Sequence, residues 1–270
     1  MLTLYFSGTG NTKYVAELFS RKMDAKCFSI EEDIDFSAEI KAHSTIAFCY
    51  PVYCSRVPRV MRIFAHKHMS ELSGKKVIIF ATQQKFSGDG ARVFSDLFEP
   101  GTIDVIYAEH FNMQQNMGNI PIWWFLFKPT EKNDRKFSNK TKAKMDIACE
   151  NIKKGVVVKR GFSKFSRLLG CIQGVPWQEN TKIEEPRGLE KRLLQGIRIH
   201  KECTVCGLCT KICPMKNLEK REGKIQHANN CTICYRCVNR CPKKAITVFI
   251  NLKPKWQHAK RALDTGDILQ

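Results

Sequence analysis

The sequence predicts an α/β unit with an open parallel sheet, followed by a small cysteine-rich α+β unit. Two observations carry this prediction. Short apolar strands alternate with helical patterns from Met1 to about Gly155, which is typical of a parallel sheet covered by helices. Further along, one four-cysteine pattern occurs twice between Cys203 and Cys241. We expect residues 1–155 to form the first unit, 156–195 a basic connecting segment, 196–250 the second unit and 251–270 a polar tail.

The first predicted element is a short apolar strand, Leu2 to Phe6, which leads through a turn rich in glycine and hydroxyl groups into a helix from Lys13 to Met23. Backbone N–H groups at a helix N-terminus bind anions, and glycine allows the backbone to approach them closely. The turn therefore predicts a phosphate-binding loop, although a plain strand-to-helix turn capped by Asn11 or Thr12 is the alternative. Its residues are Ser7, Gly8, Thr9, Gly10, Asn11 and Thr12.

The remaining elements of the first unit repeat the strand–helix alternation. Strands are predicted at residues 27–30, 44–50, 76–82 and 102–110, and helices at 58–68, 90–98 and 133–154. In open α/β sheets the ligand binds beyond the carboxyl ends of the strands. The loops at residues 51–55 and 83–89 follow strands three and four, so we expect both to lie near that edge.

The run Ser-Gly-Thr-Gly-Asn-Thr after a first strand resembles the phosphate loop of flavodoxins, which bind FMN. This resemblance implies the strand order 2-1-3-4-5, with the ligand between strands one and three. It also implies that Tyr53 stacks on the flavin ring, although a packing role for this aromatic is the alternative. The other residues expected around the ring are Pro51, Val52, Cys54, Thr82, Gln83, Phe86 and Gly88. Since Phe86 is the one aromatic in the second loop, a cluster loop or the apolar stretch 120–127 could cover one flavin face instead.

The two cysteine runs both read C-x2-C-x2-C-x3-C-P. Three thiolates at this spacing can turn toward one point, whereas the fourth, before Pro214 or Pro242, points elsewhere. In this bacterial iron–sulfur pattern the fourth cysteine ligates the other cluster. The predicted ligand sets are Cys203, Cys206, Cys209 with Cys241, and Cys231, Cys234, Cys237 with Cys213. A four-thiolate zinc site is the alternative, but it needs only two C-x2-C pairs.

Residues 197–249 resemble the two-cluster bacterial ferredoxins, and nearly the whole chain resembles the flavodoxin–ferredoxin fusion proteins of anaerobic bacteria and archaea. The resemblance implies FMN, two [4Fe-4S] clusters and electron transfer between redox proteins. Iron–sulfur cubes pass one electron at a time and flavin can take one or two, so the fusion joins one-electron to two-electron chemistry.

Two other functions stay open at this stage. One is a flavin-dependent reductase of a small oxidised substrate, such as a quinone or a nitro compound. The other is a redox-sensing or nucleic-acid-binding module with structural clusters. No Ser/His/Asp arrangement or H-E-x-x-H motif stands out, so we predict no catalytic residue. A site for NAD(P)H is not visible either, and we expect electrons to enter through the clusters.

The charge of the chain is unevenly distributed. The formal net charge is +19, yet residues 1–120 carry 13 basic and 13 acidic side chains. The excess beyond residue 120 favours an acidic redox partner, with an anionic membrane face as an alternative. Nucleic acid is not expected, because solvated helix faces explain such runs more often.

Apolar segments and thiols indicate the compartment. No run reaches about 18 apolar residues and the N-terminus lacks a leader pattern, so we expect a cytoplasmic protein that does not span a membrane. The stretch 120–127 is interpreted as an interdomain or core aromatic cluster, with a membrane-surface wedge as the alternative. The cysteines outside the two runs are expected to be buried free thiols: Cys27, Cys49, Cys54, Cys149 and Cys171.

Overall fold

The computed structural model describes residues 1–53, 55–121, 129–174 and 196–258. A six-stranded sheet occupies the first unit, in the order β2-β1-β3-β4-β5-β6, and all neighbouring strands are parallel. The predicted order 2-1-3-4-5 is confirmed, and a short sixth strand is added at the edge. The strands are β1 (Leu2–Tyr5), β2 (Lys26–Ser29), β3 (Thr45–Pro51), β4 (Lys76–Gln83), β5 (Asp104–Asn112) and β6 (Val158–Lys159).

Helices cover both faces of this sheet. They are α1 (Asn11–Met23), α2 (Phe36–Lys41), α3 (Arg59–Lys67), α4 (Met69–Leu72), a 3-10 helix (Arg92–Leu97), α5 (Glu131–Lys153) and α6 (Lys164–Gly174). On one face, Phe48 of β3 packs against Phe94 of the 3-10 helix, with ring centroids 4.5 Å apart. On the other, Phe80 of β4 meets Phe19 of α1 at 4.8 Å. Because successive residues of a strand point to opposite faces, the apolar runs of β1, β3 and β4 supply both cores.

Three parts of the first unit differ from the sequence prediction. The helix expected at 90–98 is a 3-10 helix, in which Ser95 Oγ donates to the carbonyl of Arg92 at 2.7 Å, an interaction across three residues. The short helices α2 and α4 were not predicted. The connecting segment also contains β6 and α6, where the sequence is charged and weakly patterned.

The second unit contains two small antiparallel sheets and two one-turn helices. Its elements are β7 (Arg198–Ile199), α7 (Leu208–Ile212), β8 (Leu218–Arg221), β9 (Lys224–His227), α8 (Arg236–Arg240) and β10 (Ile246–Thr247). Glu222 and Gly223 join β8 to β9 with φ angles of 48° and 71°, the combination of a type I′ hairpin turn. A separate core around Val238, Ile246 and Val248 holds this unit together.

The length and hydropathy of the helices bear on membrane insertion. Within the described ranges, none is both long and apolar enough to cross a bilayer. Most of the apolar stretch at 120–127 lies outside the described residues, so the interpretation given to it stays a prediction.

Candidate cofactor sites

The first group of cysteines, called cluster site A, consists of Cys203, Cys206, Cys209 and Cys241. All four line one small cavity between the loop that precedes α7 and the end of α8. Burial, followed by the nearby thiols of Cys203, Cys241 and Cys206, raises the pKa of the Cys209 thiol to about 11. A thiolate at this position is stable only beside positive charge, which the iron of a cluster supplies. The donor set therefore fits an iron–sulfur cube.

The second group, called cluster site B, consists of Cys231, Cys234, Cys237 and Cys213. The pKa of Cys237 is raised well above its usual value by burial and by the close thiols of Cys234, Cys231 and Cys213. The pKa of the Cys234 thiol is raised to about 11, again chiefly by burial. The structure thus places Cys241 beside the first run's triplet and Cys213 near the second run's triplet, and the crossed ligand sets stay a prediction.

The loops of the two sites are built alike. Val205 and Ile233 have φ angles of 54° and 57°, which is a strained conformation for β-branched residues. Gly207 and Tyr235, two positions further on, also have positive φ. This course lets backbone N–H groups point inward at sulfur, and Ile233 N donates to Cys231 Sγ at 3.2 Å. Such bonds stabilise thiolates and tune the cluster potential.

The fourth cysteines receive equivalent bonds. Asn217 N donates to Cys213 Sγ at 3.3 Å, and Ala245 N donates to Cys241 Sγ at 3.2 Å. Among the residues that the structure describes, no three His, Cys, Asp or Glu side chains converge closely enough to hold a single metal ion.

The predicted phosphate loop lies at the N-terminus of α1, beside a large cavity of about 630 Å³. Ser7, Gly8, Thr9, Asn11 and Thr12 line this cavity. Gly10 does not line it; its φ of 106° turns the chain into α1, and its N–H donates to Ser7 Oγ at 3.1 Å.

The side chain of Asn11 in this loop has one oxygen that is free to accept a hydrogen bond from a ligand. Asn11 Nδ2 donates to the carbonyl of Gln114 at 2.7 Å, while its Oδ1 is buried without a partner in the described residues. Thr12 Oγ1 and Thr82 Oγ1 lie 2.7 Å apart and tie the loop to β4. The unpartnered Asn11 Oδ1 is an acceptor and fits a donor on the cofactor, such as a hydroxyl group. The helix N-terminus and the loop hydroxyls fit its phosphate.

The loops after β3 and β4 form the next part of the cavity wall. Pro51, Val52, Tyr53, Thr82, Gln83 and Phe86 all line the cavity. Phe86 is 52% exposed and can cover a bound ring from the solvent side. Cys54 lies outside the described residues. Gly88 is turned away from the cavity, since a Cβ built on it would lie 2.4 Å from Gly170 N of α6.

Tyr53 is held between the two units. Its hydroxyl is buried without a hydrogen-bond partner in the described residues. Burial, followed by the nearby thiol of Cys234, raises the pKa of this hydroxyl well above its usual value. Tyr53 therefore contacts both the cavity and cluster site B, a position that the sequence did not predict.

Several lining residues were missed by the sequence prediction. The carboxyl end of β5 contributes Met113, Gln114, Gln115 and Asn116, which the strand-end rule could have identified. The second unit contributes Ile233, Tyr235, Phe249 and Ile250. No local signal marks these four, because they reach the cavity through contact between the units. Ile233 and Tyr235 belong to the loop that carries Cys231, Cys234 and Cys237.

Arg236 joins the cluster loop to the phosphate loop. Its Nη2 donates to the carbonyl of Ser7 at 2.8 Å and its Nε to that of Gly8 at 3.2 Å. Nη2 also pairs with Glu31 at 2.6 Å. Burial opposes the charge on Arg236, but the hydrogen bonds and charge of Glu31 outweigh it and raise its pKa. The guanidinium therefore stays cationic between the two cofactor sites.

Gly8 allows this contact. A Cβ on Gly8 would lie 2.5 Å from the carbonyl oxygen of Cys234, closer than any side chain can approach. The cluster loop thus packs directly on the phosphate loop. The remaining thiols differ partly from expectation: Cys49 and Cys149 are buried, Cys27 is half-buried, and Cys171 is exposed because it lies on the outer side of α6.

Two protein families match the sequence. The flavodoxin domain family matches residues 2–119, and the 4Fe-4S dicluster domain family matches residues 190–246. No curated protein matches the sequence significantly.

Solved structures resemble part of the chain. Two-electron reduced flavodoxin from Megasphaera elsdenii is 21% identical, covering 41% of this chain and 85% of its own, with a TM-score of 0.36. A flavodoxin from the domain Archaea is 18% identical, covering 54% of this chain and 97% of its own, with a TM-score of 0.35. The Trp repressor binding protein of Bacillus subtilis is 14% identical over 43% of this chain and 86% of its own, with a TM-score of 0.36.

The matched families specify the cofactors, namely FMN for the first domain and iron–sulfur clusters for the second. The chain therefore joins a flavodoxin domain to a 4Fe-4S dicluster domain, the combination found in flavodoxin–ferredoxin fusion proteins.

Proposed function

We propose that this protein carries electrons between FMN in the large cavity and a redox protein, by way of cluster site B and then cluster site A. FMN supplies one- and two-electron chemistry, and the clusters supply single-electron steps. The residues of the chain hold the three groups in sequence. Flavodoxin and 4Fe-4S domains are redox domains. The proposed order of the cofactors is FMN, cluster site B and cluster site A.

One observation carries the proposed order. Ile233 and Tyr235, from the loop of cluster site B, line the same cavity as the phosphate loop. Arg236 and Gly8 hold that loop against the first domain. Among the described residues, none that lines cluster site A also lines the flavin cavity. Site B is therefore the inner relay in this proposal.

Cluster site A faces the outside and is the proposed point of exchange with a partner. Cys206 is exposed and Leu208, next to the site, is 38% exposed. Arg240 and Lys243 line the site, and Lys244 follows directly in sequence. A basic rim around an apolar contact favours an acidic redox protein.

This choice of partner can be tested with an acidic ferredoxin as the electron donor. We expect the reduction rate to fall with added salt and to fall again in Lys243→Gln/Lys244→Gln. A reduction rate that changes neither with added salt nor in the double variant would contradict an acidic partner at this rim.

The cofactor content tests the proposal as a whole. Protein purified without oxygen should contain one FMN and two clusters, and it should accept about four electrons in a reductive titration, because flavin takes two and each cube takes one. A preparation that binds flavin but no iron would overturn the proposal. Steady turnover of a quinone or nitro compound with NADPH would favour the reductase function instead.

We also propose the domain bounds 1–155, 156–195, 196–250 and 251–270, and a reducing, cytoplasmic location. The first boundary follows the end of α5 at Lys153, and the connecting segment then adds the short strand β6 to the edge of the sheet. The reducing location is supported by the free thiols found among the described cysteines.

A further inference from the structure

A second cavity of about 550 Å³ lies beside the flavin cavity. Its wall is formed by the start of α5, the carboxyl end of β5 and the loop after β4. Neither the phosphate loop nor the cluster loops contribute to it. The proposed electron route leaves this cavity without a role.

The wall of the second cavity is basic. Lys136, Lys140 and Lys144 follow one another at intervals of four residues, so they share one face of α5. Lys144 is compensated, since its Nζ lies 2.9 Å from Glu109 Oε1 and donates to the carbonyl of His110 at 2.6 Å. In the described part of the chain, no carboxylate is within ion-pair distance of Lys136 or Lys140. These two lysines are about 6 Å apart along the helix axis.

Lysines spaced in this way suit a ligand with more than one anionic oxygen group, as in a diphosphate. Lys85 lines the same cavity from the opposite loop. Phosphate groups are a common ligand of lysine ammonium groups, which act as compact point charges.

The same cavity also offers a surface for a flat ring. Phe137 is half-buried on the lysine face of α5, and the buried Phe111 belongs to the same wall. Amide groups of Asn133 and Gln115 lie along the same wall. Aromatic surface beside amide donors and acceptors recognises a nucleobase through stacking and hydrogen bonds.

The two cavities share a rigid boundary. Gln84, Lys85, Gln114 and Gln115 line both of them. Asn112 Nδ2 donates to the carbonyls of Gln84, at 3.1 Å, and Lys85, at 2.6 Å, which fixes the loop between the cavities. A ligand in the second cavity would therefore lie next to the flavin.

We propose that the second cavity is a binding site for a phosphorylated nucleotide, with Lys136 and Lys140 holding its phosphates and Phe137 its base. The site goes beyond the proposed electron route and does not depend on the clusters. Its occupant would sit beside the flavin and would change the flavin's surroundings when it binds.

The test is a binding measurement on the FMN-loaded full chain, by calorimetry at low salt, with ADP as a redox-inert probe. We expect ADP to bind, inorganic pyrophosphate to compete with it, and the visible spectrum of the flavin to shift on binding. In Lys136→Gln/Lys140→Gln the affinity for ADP should fall by about tenfold. The control Lys132→Gln/Arg135→Gln removes the same charge from exposed positions of α5 and should retain the affinity.

Three results would overturn the proposal. The first is no ADP binding by the intact protein. The second is an equal loss of affinity in the two double variants, which would mean a general effect of charge. The third is binding of pyrophosphate and of an acidic peptide with the same strength as ADP, because the cavity would then select charge alone. None of these results bears on electron transfer, so the two proposals fail separately.

Discussion

At the scale of single residues, the contact between the two domains depends on Arg236 and Gly8. The glycine was predicted from its place in the phosphate loop, and the structure adds that the carbonyl of Cys234 packs where a side chain would be. Arg236 could not be identified in the sequence, because its partners Ser7, Gly8 and Glu31 lie more than 200 residues away. A charged side chain with several carbonyl acceptors fixes orientation as well as distance.

Replacing Arg236 tests this contact. Arg236→Gln should lower the free energy of unfolding by about 2 kcal/mol, since hydrogen bonds from a charged group are lost in a largely buried interface. Chemical denaturation without oxygen, followed by flavin fluorescence, measures the change. Arg240→Gln on the same helix is the control, because Arg240 is exposed, and it should cost less than about 0.5 kcal/mol. Equal losses in the two variants would count against the interface.

His110 supplies a prediction about pH. Burial lowers its pKa from 6.5 to about 4, and its Nε2 accepts a hydrogen bond from Ala91 N at 2.9 Å. Between these values the unfolded chain binds a proton that the folded chain does not, so stability is complete above pH 6.5 and is lost as the pH falls toward 4. From pH 7 to 5 this group should cost on the order of 2 kcal/mol.

The comparison variant for this prediction is His110→Gln, which keeps an acceptor but does not titrate. Unfolding free energies of both proteins at pH 7 and pH 5 give the contribution of His110. If the wild type and the variant lose the same stability over this interval, His110 is not the group responsible.

At the scale of elements, the sequence predicts strands well where apolar runs are long. β1, β3 and β4 are buried on both faces, so their sequences are continuously apolar and easily recognised. α6 was not predicted, because its position depends on distant contacts. Ser55 Oγ donates to Gln173 at 2.7 Å, and Gly170 lies against Asp89. Both contacts join residues that are far apart in the sequence, so the local sequence pattern of α6 does not reveal them.

The fit of α6 against the loop after β4 can be tested at Gly170. A Cβ there would lie 1.7 Å from Asp89 Oδ1, and Asp89 is only 2% exposed, so the carboxylate cannot move into solvent easily. Gly170→Ala should therefore destabilise the protein by about 1–3 kcal/mol, as overpacking does. Thermal unfolding monitored by circular dichroism measures the effect, with Cys171→Ala at the exposed neighbouring position as control. A Gly170→Ala protein as stable as the control would show that α6 does not pack here.

At the scale of the whole molecule, the sequence predicts both cofactor sites but not how they face each other. The phosphate loop and the cysteine triplets are local motifs, so their residues could be identified from spacing alone. The far wall of the flavin cavity, with Ile233, Tyr235 and Phe249, arises only when the domains dock. In the proposed electron route, that docking makes cluster site B the inner relay and cluster site A the outer one.

The most direct test of this order uses the two equivalent fourth cysteines. Cys213→Ala should remove the cluster at site B, and Cys241→Ala should remove the cluster at site A. Electron paramagnetic resonance of the flavin semiquinone beside a reduced cluster reports which cluster is near, because a nearby spin shortens the relaxation time. The account predicts that fast relaxation persists in Cys241→Ala and disappears in Cys213→Ala. Fast relaxation retained in Cys213→Ala and lost in Cys241→Ala would contradict it.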